Sequence, residues 1–205
     1  MRLSLFIVLA GLGAVQGCTT PVNVTKVGPA ATPAAIPGMS AGAGAGSVAT
    51  SADRRSTGAK VEDDNIESKA QKRVDEIYKD TAHVSITAYN HFALITGTTS
   101  TEEVKMDIER IVGSIPNVKG IANELVVTKT PVSSIGASDS RITGNVKYRI
   151  ARNPDLKAER VKVVTDGGVV YLMGLVTRAE ADTAADIAST TAGVQKVVRV
   201  FEYIN

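Results

Sequence analysis

Two segments of the chain share one pattern of apolar and polar positions. Residues 84–97 align without a gap on residues 161–174, and both segments are rich in apolar and β-branched residues. A two-residue turn interrupts each segment at the same place, as Asn90-His91 in the first and Gly167-Gly168 in the second. Such a pattern is typical of two antiparallel strands joined by a tight turn. The chain is therefore predicted to contain two equivalent β-hairpins.

Each predicted hairpin is followed by a helix. Ser100 with Glu103, and Thr177 with Glu180, have the spacing of a capping box, in which a hydroxyl and a carboxylate satisfy free amides at a helix N-terminus. Apolar residues then recur at helical spacing, which predicts one buried face for each helix. These residues are Val104, Ile108, Ile111 and Ile115 in the first helix, and Ala181, Ala184, Ala185 and Ala188 in the second.

A further helix is predicted before each hairpin, and a third strand is predicted at 124–127 and at 198–201. Asp64 is the expected N-cap of the first of these helices, and Asp139 or Ser140 that of the second. Their apolar faces are Ile66, Ala70, Val74, Ile77 and Tyr78, and Ile142, Val146 and Ile150. The pattern predicts an α+β fold of two tandem αββαβ units, each a three-stranded mixed sheet packed on two helices.

The second strand of the second hairpin is apolar on both faces. Alternate residues of 169–173 point to opposite sides of the sheet, and both sets are apolar. Because helices can cover only one face, we expect Tyr171 and Met173 to contact the other unit, with Phe201 and Tyr203 as further candidates. The alternative is a strand that is simply prone to aggregation.

The N-terminal segment has the layout of a secretory signal. Arg2 precedes an apolar run at 3–10 that is too short to span a bilayer. Residues 15–18 resemble a bacterial lipobox, which implies cleavage after residue 17 and acylation of Cys18, the only cysteine. Thr19, which is not Asp, implies the outer membrane by resemblance to enterobacterial lipoproteins. The alternative is an incidental thiol within a signal that is removed.

Differences in amino-acid composition divide the rest of the chain into a tether and two domains joined by a linker. Residues 18–60 are rich in Pro, Ala, Gly and Ser, which predicts a flexible tether beginning at the lipidated cysteine. The boundaries that follow are a first domain at 61–130, a linker at 131–138 and a second domain at 139–205.

Positive charge is concentrated in the second domain. Residues 64–128 contain seven Lys or Arg and ten Asp or Glu, whereas residues 139–205 contain ten and eight. On the first helix of the second domain, Arg141, Asn145, Tyr148, Arg149 and Arg152 fall on or near the face opposite the apolar residues. Such a composition is expected of a helix that lies on an anionic membrane. The alternative is an ordinary solvated face.

Catalytic and metal sites are not indicated. His83 and His91 lie on or beside a hairpin with no cysteine near them, so we expect no metal site, and the sequence indicates no cofactor. The acidic run at 62–64 is better explained by helix capping than by cation binding. Basic residues are offset by acids and no nucleic-acid motif is present, so nucleic acid is not an expected partner.

The residues at 172–177 and 184–189, within two αββαβ units, resemble BON domains. Together with the lipobox, the tether and residues 53–59, the chain resembles the dual-BON outer-membrane lipoproteins of the DolP or YraP type. The resemblance implies a non-enzymatic periplasmic protein that binds anionic phospholipid such as cardiolipin or phosphatidylglycerol, supports outer-membrane integrity and gathers at division sites. Close relatives tend to carry Trp at the position of Arg141, which implies shallower insertion here.

An alternative function is a protein-interaction scaffold. Its apolar sheet or its acidic first domain would dock onto the outer-membrane protein assembly complex or the peptidoglycan amidase system.

Overall fold

Both predicted repeats are present in the computed structural model, which describes residues 52–129 and 136–205. The first repeat consists of α1 (Thr57–Tyr78), β1 (Ala82–Tyr89), β2 (Phe92–Thr99), α2 (Glu102–Gly113), β3 (Gly120–Asn123) and β4 (Val126–Val127). The second consists of α3 (Ala137–Ala151), a 3₁₀ turn (Ala158–Arg160), β5 (Val161–Asp166), β6 (Val169–Val176), α4 (Arg178–Ser189) and β7 (Lys196–Tyr203). The predicted α+β fold is confirmed. The signal peptide at 1–17, Cys18 and most of the predicted tether and linker lie outside the described residues.

Each repeat forms a mixed sheet whose middle strand is the second strand of the hairpin. β1 and β2 are antiparallel and β3 is parallel to β2, while β5, β6 and β7 repeat this order. In the first repeat the third strand begins at Gly120, earlier than the predicted 124–127, and it is broken before β4. The side-chain oxygen of Asn123 accepts a hydrogen bond from the amide of Leu125 at 3.3 Å. Because Leu125 turns into the core at the break, β3 and β4 pair with β2 as two short pieces.

Both hairpin turns adopt the left-handed backbone that the sequence predicts. Asn90 and His91 have φ angles of 51° and 68°, and Gly167 and Gly168 have 57° and 78°. Two successive residues with positive φ match the right-handed twist of the flanking strands. The gapless sequence alignment of the two hairpins therefore matches two turns that have the same backbone conformation.

A buried carboxylate anchors each of these turns to the helix before it. Asp63 on α1 accepts hydrogen bonds from the backbone amides of Asn90 and His91, at 2.8 and 2.7 Å. Asp139 on α3 accepts from both turn glycines in the same way, at 3.0 and 2.9 Å. Asp63 and Asp139 are 1% and 4% exposed. The repeat thus includes an anchor between helix and turn that hydrophobic periodicity did not indicate.

The helices that precede the hairpins begin earlier than predicted. The N-cap of α1 is Ser56, not Asp64, and the N-cap of α3 is Gly136, not Asp139 or Ser140. Asp139 fails as a cap because its carboxylate is used by the hairpin turn, as is that of Asp63 in the acidic run at 62–64. The ordered first repeat consequently extends into the segment that was predicted to be tether up to residue 60.

The helices that follow the hairpins begin at or next to the predicted caps. Thr177 and Glu180 form the complete capping box of α4, as predicted. On α2 the side chain of Thr101, not Ser100, accepts from the amide of Val104 at 3.3 Å. A hydroxyl at the neighbouring position can satisfy the same free amides, which explains the shift by one residue.

The predicted apolar faces form two separate cores, one in each repeat. Ile66, Ala70 and Val74 of α1 pack on β1, β2 and α2 in the first repeat, whereas Ile77 is 60% exposed and was wrongly predicted to be part of this face. In the second repeat the whole of both predicted faces is buried. These residues are Ile142, Val146 and Ile150 on α3, and Ala181, Ala184, Ala185 and Ala188 on α4.

Candidate functional site

The outer face of α3 is the surface on which the predicted binding residues meet. Burial of Ile142, Val146 and Ile150 against the core fixes the rotation of the helix about its axis. That rotation leaves the five predicted binding residues at the surface, including Tyr148 at 60% exposed. They are Arg141, Asn145, Tyr148, Arg149 and Arg152.

A shallow groove runs between α3 and the turn that follows α4. It consists of two depressions of about 370 and 250 Å³, which share Asn145 and Ala192. Gly193 in this turn has a φ of 90°, and a Cβ there would lie 3.1 Å from Ile142, so glycine permits the close approach of turn and helix. The described residues that line it include Arg141 and Arg149, and none of them carries a carboxylate. The groove therefore favours an anionic or neutral ligand.

Arg149 differs from the other arginines of this face because its guanidinium is already bound within the protein. It donates to the carbonyl oxygen of Ile187 at 2.7 Å and to the hydroxyls of Thr191 and Thr190 at 2.6 and 3.0 Å. These acceptors lie at the C-terminal end of α4, where carbonyl groups lack helical partners and the helix dipole favours a cation. Arg149 thus holds α3 against α4, a role that the sequence did not reveal.

Arg141, Tyr148 and Arg152 are the charged and aromatic residues of this face that remain available to a ligand, beside the exposed Asn145. Arg152 donates to the Tyr148 hydroxyl at 2.6 Å, and its guanidinium carbon lies 5.5 Å from the centre of the ring. Arg141 is exposed and has no hydrogen bond or ion pair with the described residues. We call these three residues the α3 strip. It presents two cations and one amphipathic ring.

A third apolar cluster lies between the two repeats. It consists of Tyr89, Leu94, Tyr171 and Met173, all at most 4% exposed. Burial, with the nearby charges of Glu124 and Asp166, raises the pKa of Tyr171 to about 12. The structure therefore places Tyr171 and Met173 against the other repeat. Phe201 packs instead on the core of its own repeat and Tyr203 is 46% exposed, so neither belongs to the cluster.

The segment 52–55, which we call the strap, bonds to both repeats. Arg54 donates to Glu180 at 2.6 Å and to the carbonyl of Leu175 at 2.8 Å, both in the second repeat. Arg55 donates to Asp63 of the first repeat at 2.9 Å and stacks over the ring of Tyr89 at 3.9 Å. The strap was assigned to the tether from its sequence, but its arginines join the two repeats.

Glu180 is the centre of this ionic contact. Besides capping α4, its carboxylate accepts from Arg54 and, at 2.5 Å, from Arg160. Burial alone would raise the pKa of Glu180, but hydrogen bonds from Arg54, the Thr177 amide and Arg160 outweigh burial and lower it to about 2. Lys162 adds a contact across the repeats, since it donates to Glu67 at 2.6 Å.

The part of the chain that the structure describes contains no candidate metal-binding cluster and no candidate membrane-spanning helix. Within residues 52–129 and 136–205 no three His, Cys, Asp or Glu side chains are grouped so that they could hold a metal ion. The Nδ1 atom of His91 lies 3.3 Å from a carboxylate oxygen of Glu62, and His83 is exposed on β1. Among the same residues no helix is both long enough and apolar enough to cross a membrane.

Comparison with known proteins identifies the repeat. The family model described as BON domain matches the chain twice, at residues 62–129 and at 138–205. The chain belongs to the BON domain family. The two BON domains correspond to the two αββαβ repeats of the structure.

Two relatives identify the type of BON protein to which the chain belongs. The outer membrane lipoprotein DolP of Haemophilus influenzae is 34% identical over 155 residues, which cover 75% of this chain and 80% of the relative. The 21 kDa hemolysin of Actinobacillus pleuropneumoniae is 33% identical over 155 residues, covering 74% and 79%. This is a dual-BON protein of the DolP type and an outer-membrane lipoprotein.

Solved structures add little to this placement. The C-terminal domain of CdsD, the structural protein of the type III secretion system of Chlamydia trachomatis, matches 70% of this chain and 67% of its own at 14% identity. The TM-score of 0.28 is too low to support an argument about fold or function.

Proposed function

We propose that the protein binds anionic phospholipid through the α3 strip of its second BON domain, while acylated Cys18 anchors it to the outer membrane. The observation that supports this proposal is an exposed strip of two arginines and a tyrosine beside a groove whose lining, within residues 52–129 and 136–205, contains no carboxylate. Each cation near an anionic surface contributes about 1 kcal/mol to binding. Tyr148 supplies the ring that membrane interfaces favour.

The proposed role is binding, not catalysis. Cardiolipin and phosphatidylglycerol are the anionic lipids we expect it to bind, and support of outer-membrane integrity and division-site remodelling is the function we infer from the family resemblance. Attraction between arginines and lipid phosphates is weakened by salt. Binding through the strip is therefore expected to fade as ionic strength rises.

Vesicle flotation of residues 46–205 tests this proposal without the acyl anchor. We expect flotation with phosphatidylglycerol vesicles and not with neutral vesicles. Arg141→Glu with Arg152→Glu removes both available cations, so affinity falls by at least about 30-fold at about 1 kcal/mol per cation. Arg149 is left intact because its loss would disturb the packing of α3 on α4.

A matched control lies on the same helix. Lys147 is exposed, but it faces a different depression, which also contains Arg55 and Lys60. Lys147→Glu changes the charge of α3 by the same amount per residue and is expected to weaken binding only slightly. Equal losses from Arg141→Glu and Lys147→Glu would show that net charge, not the strip, drives binding.

A scaffold for envelope machinery is the second candidate function. The observation in its favour is a groove of about 570 Å³ between the two BON domains, lined by residues that include Phe92, Ala122 and Val200. The outer-membrane protein assembly complex and the peptidoglycan amidase system are the candidate partners. Binding of such a partner would survive reversal of the α3 strip and fail when the groove is altered.

A further inference from the structure

Edge strands of the two sheets differ in how far their outer backbone groups are covered. In the first BON domain the edge strand β1 is covered by side chains. Gln71 of α1 donates to the carbonyl of Val84 at 2.9 Å and accepts from the amide of Ile86 at 3.2 Å. Glu67 accepts from the amide of Ala88 at 2.7 Å, and Lys162 donates to the carbonyl of the same residue at 3.2 Å. The backbone groups that would recruit another strand are therefore occupied.

In the part of the chain that the structure describes, the edge strand β7 of the second BON domain lacks such cover, and its eight residues pair with β6 alone. Within the described residues no side chain hydrogen-bonds to the backbone of 196–203. A strand in this position presents a row of unpaired amides and carbonyls, which is a template for pairing with a further strand. The long free edge of β7 therefore fits an added strand.

The charges on β7 indicate which strand would fit. Lys196, Val198, Val200 and Glu202 share one face of the strand, in that order. One carboxylate oxygen of Glu202 accepts a hydrogen bond from the Asn90 side chain at 2.7 Å, and a carboxylate can accept further bonds. If a second β7 is placed antiparallel with the two copies of Arg199 opposite each other, Lys196 lies opposite Glu202, and Val198 opposite Val200. Because the arrangement is symmetric, each of these pairs occurs twice.

The register of this pairing is determined by the same residues. Shifting it by two positions in either direction removes both lysine–glutamate pairs, and shifting it by one places opposed side chains on opposite faces. The two Arg199 side chains would be opposed, but each already donates to Asp182 of its own chain at 2.7 Å. Charge complementarity and the two-fold symmetry of most soluble dimers favour the register in which the two copies of Arg199 lie opposite each other.

We propose that β7 pairs antiparallel with β7 of a second copy of this chain, which joins the two second-domain sheets into one of six strands. Val198 and Val200 line the groove between the BON domains, so the added strand would place its own two valines beside them. An interface of one strand is small, so the dimer is weak in solution. Confinement to a membrane surface would raise the effective concentration of the copies.

Analytical ultracentrifugation with charge-exchanged variants tests the pairing. Residues 46–205 form one compact unit that contains all three hydrophobic clusters, so this fragment is used. We expect the fragment to form reversible dimers at protein concentrations between about 10 µM and 1 mM. Lys196→Glu or Glu202→Lys alone puts like charges opposite each other at two places and weakens the dimer roughly tenfold. The double variant restores the opposite charges and the affinity.

A disulfide measures the register directly, because the fragment contains no cysteine. The Cα atoms of directly opposed residues lie about 5 Å apart, within the range that a disulfide requires. Arg199→Cys is therefore expected to form cross-linked dimers on mild oxidation. Lys196→Cys is the control, since its two copies would be six positions apart, about 20 Å. A fragment that stays monomeric up to about 1 mM, a double variant that fails to recover, or equal cross-linking at both positions would overturn the proposal.

Discussion

Replacing Glu180 by glutamine removes the charge at the centre of the contact between the strap and the second BON domain. The variant keeps the size of the side chain but leaves Arg54 and Arg160 facing each other without a carboxylate. Glu180 is 8% exposed, whereas the side chains of its arginine partners are each 26% exposed. Breaking a fully buried pair costs about 3–5 kcal/mol. The partial exposure of the arginines lowers this to about 2–3 kcal/mol.

The assay is thermal unfolding of residues 46–205 as a function of pH. A loss of about 2–3 kcal/mol corresponds to a fall in Tm of about 5–10 °C for a unit of this size. The Glu180 carboxyl has a pKa of 4.5 when unperturbed and about 2 in the folded protein. Its contribution is therefore complete above pH 4.5 and is lost as the pH falls from 4.5 through about 2. The difference between wild type and Glu180→Gln is expected to be constant from about pH 6 to 8 and to shrink below pH 4.5.

Asp182→Asn provides the control for this prediction. It removes the Arg199–Asp182 pair, whose side chains are 43% and 64% exposed, and an exposed pair of this kind contributes at most about 1 kcal/mol. If Glu180→Gln lowered the Tm no more than Asp182→Asn at neutral pH, or if its effect did not depend on acid pH, the strap contact would not contribute as the geometry implies.

Two further substitutions test the anchor between helix and turn and the cluster between the domains. Asp139→Ala leaves the two turn amides without their acceptor, so we expect it to lower the free energy of unfolding in urea by about 2–4 kcal/mol. Asp155→Ala, at an exposed position, should lower it by less than about 0.5 kcal/mol. Equal costs would contradict the anchor. Tyr171→Ala empties part of the interdomain cluster and is expected to cost about 3–5 kcal/mol, with faster amide exchange in β2 and β6, whereas Tyr203→Ala, which alters an exposed ring, should leave that exchange unchanged.

Hydrophobic periodicity predicted those parts of the fold that depend on burial alone. The faces of α3 and α4 are buried as the spacing of their apolar residues indicated, and the tight turns followed from Asn90-His91 and the paired glycines. Ile77 follows the same helical spacing but is 60% exposed, whereas the neighbouring Tyr78 packs on the core at the end of α1. Spacing alone therefore does not determine which residues of the last helical turn are buried.

Long-range polar contacts explain what the sequence did not reveal. The sequence favours helix capping for Asp139 and for the acidic run at 62–64, because capping is local. The turn amides that Asp63 and Asp139 bind lie 27 and 28 positions later in the chain. The repeat itself offered the missing signal, since both carboxylates stand at nearly the same distance before the aligned turns. Arg149 was assigned to the binding face from its helical angle, but its position at the edge of that face brings it to the end of α4.

Contact between the α3 strip and an anionic membrane is the central claim, and a single tryptophan measures it most directly. The chain contains no Trp, so Tyr148→Trp provides the sole indole, on the strip, and Tyr203→Trp places the same probe on β7 in a second variant. With phosphatidylglycerol vesicles we predict that the emission of the Tyr148→Trp variant shifts to the blue and is quenched by lipid-bound quenchers, with neither effect in the Tyr203→Trp variant. An unshifted spectrum of the Tyr148→Trp variant under conditions where the protein floats with the vesicles, or equal shifts in the two variants, would contradict binding through α3.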